Sequence, residues 1–240
     1  MKCAIVFLCF LTAGTAVATF AFGRTIWHPV VVSVMGARSV GDVIDRYGND
    51  ARERMKPRFE VARVPFPPEK LALIAFKAER LLEVWAYSSN VWKQVHVYPI
   101  KAASGVAGPK LREGDRQVPE GIYDIVGLNP NSSYHLSMKL DYPNAFDLQH
   151  ARAEGRDEPG TNIFIHGKAV SIGCLAMGDE AIEELFTLVH DVGREQVTVI
   201  IAPTDPREHH LVPEEHHPAW TGDLYRQITE AVRNVSDTPS

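Results

Sequence analysis

The tightest constraint on this chain is a pair of strand-forming runs set back to back. Leu71–Phe76 (LALIAF) and Leu81–Tyr87 (LLEVWAY) are apolar, and the polar stretch Lys77–Arg80 separates them. Two such runs joined by a short polar turn read as a β-hairpin. VWKQVHVYPI (91–100) supplies a third strand, and a connection rich in Gly, Pro and charge spans Ser104–Glu120. Further strand-like pieces follow at 121–128 (GIYDIVGL), 134–143 (YHLSMKLDYP), 161–167 (TNIFIHG) and 196–203 (QVTVIIAP). Helical spacing occurs in three places. Residues 39–56 carry Val40, Val43, Ile44 and Tyr47 on one stripe, with Ser39 placed to cap. Asp179–Val192 carries Ile182, Leu185, Phe186 and Val189, with Gly193 placed to end it. Trp220–Val235 turns Leu224, Tyr225, Ile228 and Val232 inward. Many short strands with few helices predict a mainly β, α+β fold: a sheet sandwich or partial barrel with flanking helices.

The N-terminus has a different texture. Lys2 precedes an uncharged stretch from Cys3 to Gly23, and Arg24 is the next charge. A positive start, an apolar core and the small triplet Ala16-Val17-Ala18 mark residues 1–24 as a signal peptide. The run also suffices for a retained membrane anchor, which needs about 20 apolar residues. Either way the remainder is expected to be exported, touching membrane only through this segment. Leu8 before Cys9 is too large for a lipoprotein cleavage site, so no lipid anchor is expected there. The net charge of -5, with no basic arm, gives no electrostatic case for nucleic acid.

Cysteine usage narrows the chemistry. Of three cysteines, Cys3 and Cys9 fall in the export segment, leaving Cys174 as the one exported thiol. A lone thiol in an oxidising compartment is buried and inert, intermolecular, or chemically used. Composition alone favours the inert reading. The neighbourhood favours use. His166-Gly167 closes an apolar strand, and Ser171-Ile172-Gly173-Cys174 follows after three residues. Strand alternation puts Asn162, Phe164 and His166 on one face, and Ile163 and Ile165 on the other. A cysteine attacks as thiolate, and a nearby imidazole can remove its proton. Bringing the thiol below neutrality takes roughly 2.7 kcal/mol, which one imidazolium contact in a partly dry site can supply. The Gly173 and Cys174 N–H groups are candidates for an oxyanion hole, with glycine allowing the turn that aims them. Gly167 and Ser171 are candidate supports. Taken singly, each has a bland reading as a turn or strand-end residue.

As a set, His166-Gly167, Ser171-Ile172-Gly173-Cys174 and Met177 resemble the L,D-transpeptidase catalytic domain family (YkuD type). Glu113-Gly114-Asp115 and Val118-Pro119-Glu120-Gly121-Ile122-Tyr123 agree, in the right order. Tyr134-His135-Leu136 and Tyr142-Pro143-Asn144-Ala145-Phe146-Asp147 resemble its YafK-like branch. The likeness spans roughly residues 68 to 235. It implies that family's β-rich catalytic fold, with Cys174 as nucleophile, His166 as base and the backbone near Gly173 lining the oxyanion site. It further implies periplasmic work on peptidoglycan stem peptides, cut at an L–D bond through a thioester, and no cofactor or metal. An amine then makes a crosslink, or water releases a trimmed peptide. Two departures stand out. Ile172 occupies a position that is histidine in most members. Only Lys168, Ala169 and Val170 separate the two halves of the motif, where about fifteen residues are usual; the YafK-like branch shares the short form.

The expected layout is a leader (1–24), an N-terminal extension with a short helix (25–67), a catalytic domain (68–205), and a linker plus packing helix (206–240). Three functions compete. The first is an L,D-transpeptidase. The second is a hydrolase of the same family, either an L,D-carboxypeptidase or an amidase that frees a wall-linked lipoprotein. The third is a wall-binding protein without catalysis, against which the retention of His166 and Cys174 speaks. Tyr134, His135 and Lys110 are secondary candidates for substrate contact. Four histidines lie in Glu208–His217, but their spacing matches no strong zinc signature, and a solvated linker is the simpler reading.

Overall fold

Lys70–Phe76 (β1) is buried on both faces, and this fixes the plan of the molecule. Leu71, Leu73 and Ala75 point into one apolar cluster, and Ala72, Ile74 and Phe76 into another. A strand that reads as a continuous apolar run needs cover on each side. The computed structural model describes residues 32–34 and 36–237, so the leader and most of the 25–36 lead-in lie outside it. Residues from Val40 onward group into one unit.

Helix α1 comprises Val40–Val43, a π-helical stretch Ile44–Gly48, and Asn49–Ala62. After β1 come β2 (Leu81–Ser88), β3 (Val91–Pro99), β4 (Ala102–Ala103), β5 (Gly121–Asn129) and β6 (Ser137–Leu140). Helix α2 (Ala145–Ala153), β7 (Phe164–His166), β8 (Leu175–Ala176) and α3 (Asp179–Val192) follow. Strand β9 (Val197–Ala202) and α4 (Thr221–Ser236) complete the order. The strands form one sheet in the order β3-β2-β1-β9-β5-β6-β7-β8-β4. Of the sandwich and partial-barrel forms, the chain therefore takes the second: a mostly β, curled half-barrel with flanking helices. Strand β5 makes the corner. Its first half pairs with β9 and its second with β6, with a register shift between Ile125 and Gly127.

Helices cover both faces. Met55 and Phe59 of α1 share a cluster with Ile182, Leu185, Phe186 and Val189 of α3. Leu224, Tyr225, Ile228 and Val232 of α4 close the opposite face. Between α1 and α3 lies a buried carboxylate. Glu184 accepts from Arg54 Nε at 2.5 Å, Arg58 Nη1 at 2.6 Å and Tyr98 OH at 2.6 Å. Burial alone would raise the Glu184 carboxyl, but these three donors hold it below the usual range. Arg52 adds a fork onto Asp191, with both bonds at 2.7 Å.

Four local expectations need correction. The 39–56 helix runs on to Ala62, where Arg63 (φ 55) turns left-handed and ends it. That longer helix is packed into the core of the catalytic body. In the 134–143 segment only Ser137–Leu140 is strand, because His135 (φ 79) breaks the extended path ahead of it. Similarly, Asn162 (φ 57) delays the next strand to Phe164. Helix α2 was not expected. Its start is a capping box: Asn144 accepts from the Phe146 and Asp147 N–H groups, and Asp147 accepts from the Asn144 N–H.

Candidate active site

Parallel neighbours β7 and β8 set Ile165 opposite Leu175 and His166 opposite Ala176. One step back along the ladder, Cys174 falls opposite Phe164. Alternation then sends Phe164, His166 and Cys174 to one side of the sheet. Ile163, Ile165 and Leu175 are buried on the other. Cys174 and His166 are thus diagonal neighbours. A strand spacing of about 4.8 Å and a rise of about 3.3 Å per residue put their backbones roughly 8 Å apart, which two side chains can bridge.

The imidazole is held on two sides. Its Nδ1 lies 2.6 Å from the Gly167 carbonyl oxygen. A carbonyl only accepts, so Nδ1 carries the proton and Nε2 keeps its lone pair. Tyr134 packs its ring against the imidazole at 4.6 Å, tilted by 33°. Gly167 is required by space. A Cβ there would sit 2.6 Å from the Tyr134 carbonyl oxygen and 2.8 Å from Asp179 Oδ1. Gly167→Ala is expected to cost about 1–3 kcal/mol by overpacking and to displace Tyr134 from His166. A melting curve and a thiol-reactivity assay measure the two effects; unchanged values in both would remove this role.

Ser171 ties the cysteine turn. Its Oγ accepts the N–H groups of Cys174 (3.2 Å), Gly173 (3.3 Å) and Ser104 (3.2 Å), and donates to the Cys174 carbonyl at 2.6 Å. Ser104 Oγ lies 3.1 Å away. In this conformation the Gly173 and Cys174 N–H groups are engaged by Ser171. Gly173 still needs to be glycine, at φ 125. Ser171→Ala leaves three N–H donors without this acceptor and should destabilise the chain by about 1–3 kcal/mol. Thermal melting tests that figure, and an unaltered melting point would contradict it.

The secondary candidates separate. Lys110 is no solvated loop charge: its ammonium is buried against Asp115 (2.5 Å) and the Arg112 carbonyl (2.9 Å). It is also the cation that acts on the Cys174 thiol. His135 Nε2 meets Glu183 Oε1 at 2.7 Å, and its ring stands edge-on to Tyr47, so it bridges α1 and α3. The motif carboxylates brace the long loop. Asp115 accepts from the Leu111, Arg112 and Gln117 N–H groups, while Glu120 pairs with Lys77 at 2.9 Å. Ser104 and Gln117 escaped sequence reasoning. Gln117 Nε2 donates to the Val106 and Gly108 carbonyls, a cross-loop contact with no local signature.

Burial works against ionisation of both groups. Burial pushes the Cys174 thiol up, against the weaker pull of the Phe164 N–H and the Lys110 charge. Burial pushes His166 down, against its bond to Gly167. The pair therefore rests as thiol and neutral imidazole, not as a preformed ion pair. A depressed histidine stabilises the fold above its unfolded value and loses this as pH falls; a raised thiol stabilises below its own and loses it as pH rises. Both contributions are present between about pH 6.5 and 8.5. Alkylation by iodoacetamide should accelerate only at pH above the ordinary thiol range. A rate that stays flat down to acid pH would indicate a standing thiolate.

A family model, YkuD: L,D-transpeptidase catalytic domain, matches residues 70–201. That is more than half of the chain. The chain belongs to the L,D-transpeptidase catalytic domain family. It is 38% identical over 133 residues to YafK of Escherichia coli (strain K12), whose own name carries L,D-transpeptidase as a provisional assignment. The match covers 53% of this chain and 52% of that protein, about half the length of each. YafK of Escherichia coli O157:H7 matches equally. Among solved structures, the helical cell shape determining protein Pgp2 from Campylobacter jejuni overlaps with a TM-score of 0.47 and 22% identity, over 57% of this chain and 48% of that one. Bd1075 of Bdellovibrio bacteriovorus gives 0.43 and 16%, over 70% and 56%. Both overlaps are partial. In this L,D-transpeptidase domain the short connection leaves Val170 and Ile172 exposed beside the cysteine.

Proposed function

We propose that this domain is an L,D-transpeptidase acting on peptidoglycan stem peptides, with Cys174 as nucleophile and His166 as general base. The observation that supports the reading is the pairing of the strand ending in His166 with the short strand that follows Cys174, with the Gly167 carbonyl on the imidazole Nδ1. As a donor stem binds, Nε2 takes the Sγ proton, and sulfur attacks the carbonyl carbon of the L–D bond. The C–N bond breaks, and the leaving amine takes the proton back from Nε2. A thioester remains on Cys174. An acceptor amine then attacks it, giving its proton to Nε2, and the thiol is regenerated as the crosslink forms. No metal or cofactor enters these steps. Lys110, held by Asp115, lends positive charge as the thiolate develops.

This activity needs a periplasmic location, in keeping with the leader read at 1–24, with the enzyme anchored if that segment is retained. The bareness of the 168–172 connection favours a second reading. With Val170 and Ile172 exposed, water reaches the thioester more readily, so hydrolysis competes: trimming of stems, or release of a wall-linked lipoprotein. Digestion of purified wall followed by chromatography of the muropeptides decides between them. New dimers support crosslinking, trimmed stems or freed lipoprotein support hydrolysis, and an unchanged profile would contradict both.

A neutral His166 is needed as base. Activity is therefore expected to persist below the ordinary histidine range and to fall only in more acid buffer. A kcat/KM profile already halved near pH 6.5 would contradict the depressed imidazole.

A further inference from the structure

The left-handed residue that breaks the 134–143 segment stands behind His166. His135 has φ 79, a backbone that a residue with a side chain keeps only where its surroundings hold it. Residues 134–136 back Gly167. The Gly167 N–H donates to the Leu136 carbonyl at 3.1 Å. A Cβ on Gly167 would lie 2.6 Å from the Tyr134 carbonyl oxygen and 3.1 Å from the His135 Cβ. Gly167 in turn presents its carbonyl to His166 Nδ1, and Tyr134 lays its ring on the imidazole. Both holds on His166 thus depend on where residues 134–136 sit.

Those residues are tied to two helices. A carboxylate only accepts, so His135 Nε2 carries the hydrogen that meets Glu183 Oε1 of α3 at 2.7 Å. Glu183 Oε2 also faces Arg54 Nη2 of α1, at 3.6 Å. One turn earlier on the same helix face, Asp179 accepts the Lys168 N–H at 2.9 Å and so pins the residue after Gly167. The His135 ring stands edge-on to Tyr47, with centroids 5.3 Å apart. Tyr47 lies in the π-helical stretch Ile44–Gly48 of α1, and π turns occur frequently at functional sites. That stretch precedes the matched residues 70–201. A continuous line of contacts therefore runs from α1 through Tyr47, His135 and Tyr134 to His166.

We propose that His135 is a positioning residue for the general base: Glu183 and Tyr47 hold it, and through Tyr134 and Gly167 it sets the plane of the His166 imidazole. The proposal rests on the reading of His166 as base. Two readouts on the full-length protein test it. Steady-state kinetics on a tetrapeptide muropeptide gives kcat and KM. NOE spectroscopy reads the contact between the Tyr134 ring and the His166 imidazole, whose signal is identified by its absence in His166→Gln. In Glu183→Ala the contact should be lost, and kcat should fall about tenfold or more with KM unmoved, as for a misplaced base. Glu183→Gln keeps an acceptor in the same place and should retain the contact and most of kcat. Tyr47→Leu, in a helix that touches no reacting atom, should lower kcat about threefold with KM again unmoved, and it carries the test if Glu183→Ala fails to fold. The NOE needs no turnover, so an inactive wild type would overturn the catalytic reading alone, and the placement would still stand or fall on the contact. A contact or a kcat retained in Glu183→Ala, or Glu183→Gln as damaging as Glu183→Ala, would overturn the proposal.

Discussion

Replacing Cys174 with alanine is expected to lower activity on tetrapeptide muropeptides by about 10⁴-fold or more, since nucleophile and base act as one unit and removing either forfeits most of the rate. The fold should survive. The side chain is small, and the turn that carries it is held through backbone groups by Ser171. A stability change within about 1 kcal/mol is expected, or a melting shift of a few degrees in a chain of this length. A parallel assay of His166→Gln should show a comparable loss with the thiol still present. If Cys174→Ala kept a tenth of the activity, sulfur would not be the attacking atom.

The largest stability effect is expected at Glu184. Glu184→Ala removes the one acceptor shared by Arg54, Arg58 and Tyr98, and with it the most buried of the polar ties between α1 and α3. Breaking a buried pair costs about 3–5 kcal/mol, and the low end applies because both guanidiniums keep part of their surface in water. Tyr98→Phe, which removes one hydrogen bond and keeps the charges, should cost only about 0.5–1.5 kcal/mol. Denaturant titration of both variants gives the comparison. Equal losses would mean that the Tyr98 hydroxyl bond, not the two guanidinium pairs, carries the tie.

The parts that sequence reasoning reached are those dictated by period. The Lys77–Arg80 turn, the apolar β1 and β9, and the inward faces of α3 and α4 lie where spacing put them. The positions of Cys174 and His166 were legible from one short segment, because a strand end, two glycines and a lone thiol fall within nine residues. Contacts across the chain were not. The Ser104–Ser171 tie links residues 67 apart, and no local pattern announces it. Nor does spacing reveal desolvation. Burial raises the Cys174 thiol and lowers the His166 imidazole, and no pattern of residues announces it. Left-handed residues at His135 and Asn162 cut two strands short, since propensity carries no sign of φ. The start of α2 was readable in principle: Asn144 and Asp147 form a capping box three residues apart.

Trapping the covalent intermediate tests the central claim most directly. The protein is mixed briefly with a tetrapeptide muropeptide, quenched in acid and mapped by peptide mass spectrometry. The mass of the acyl fragment should appear on the peptide that contains Cys174, and should be absent after prior treatment with iodoacetamide. An acyl group on another residue, or release of the fourth stem residue with no adduct at the earliest quench times, would contradict a thioester mechanism at this cysteine.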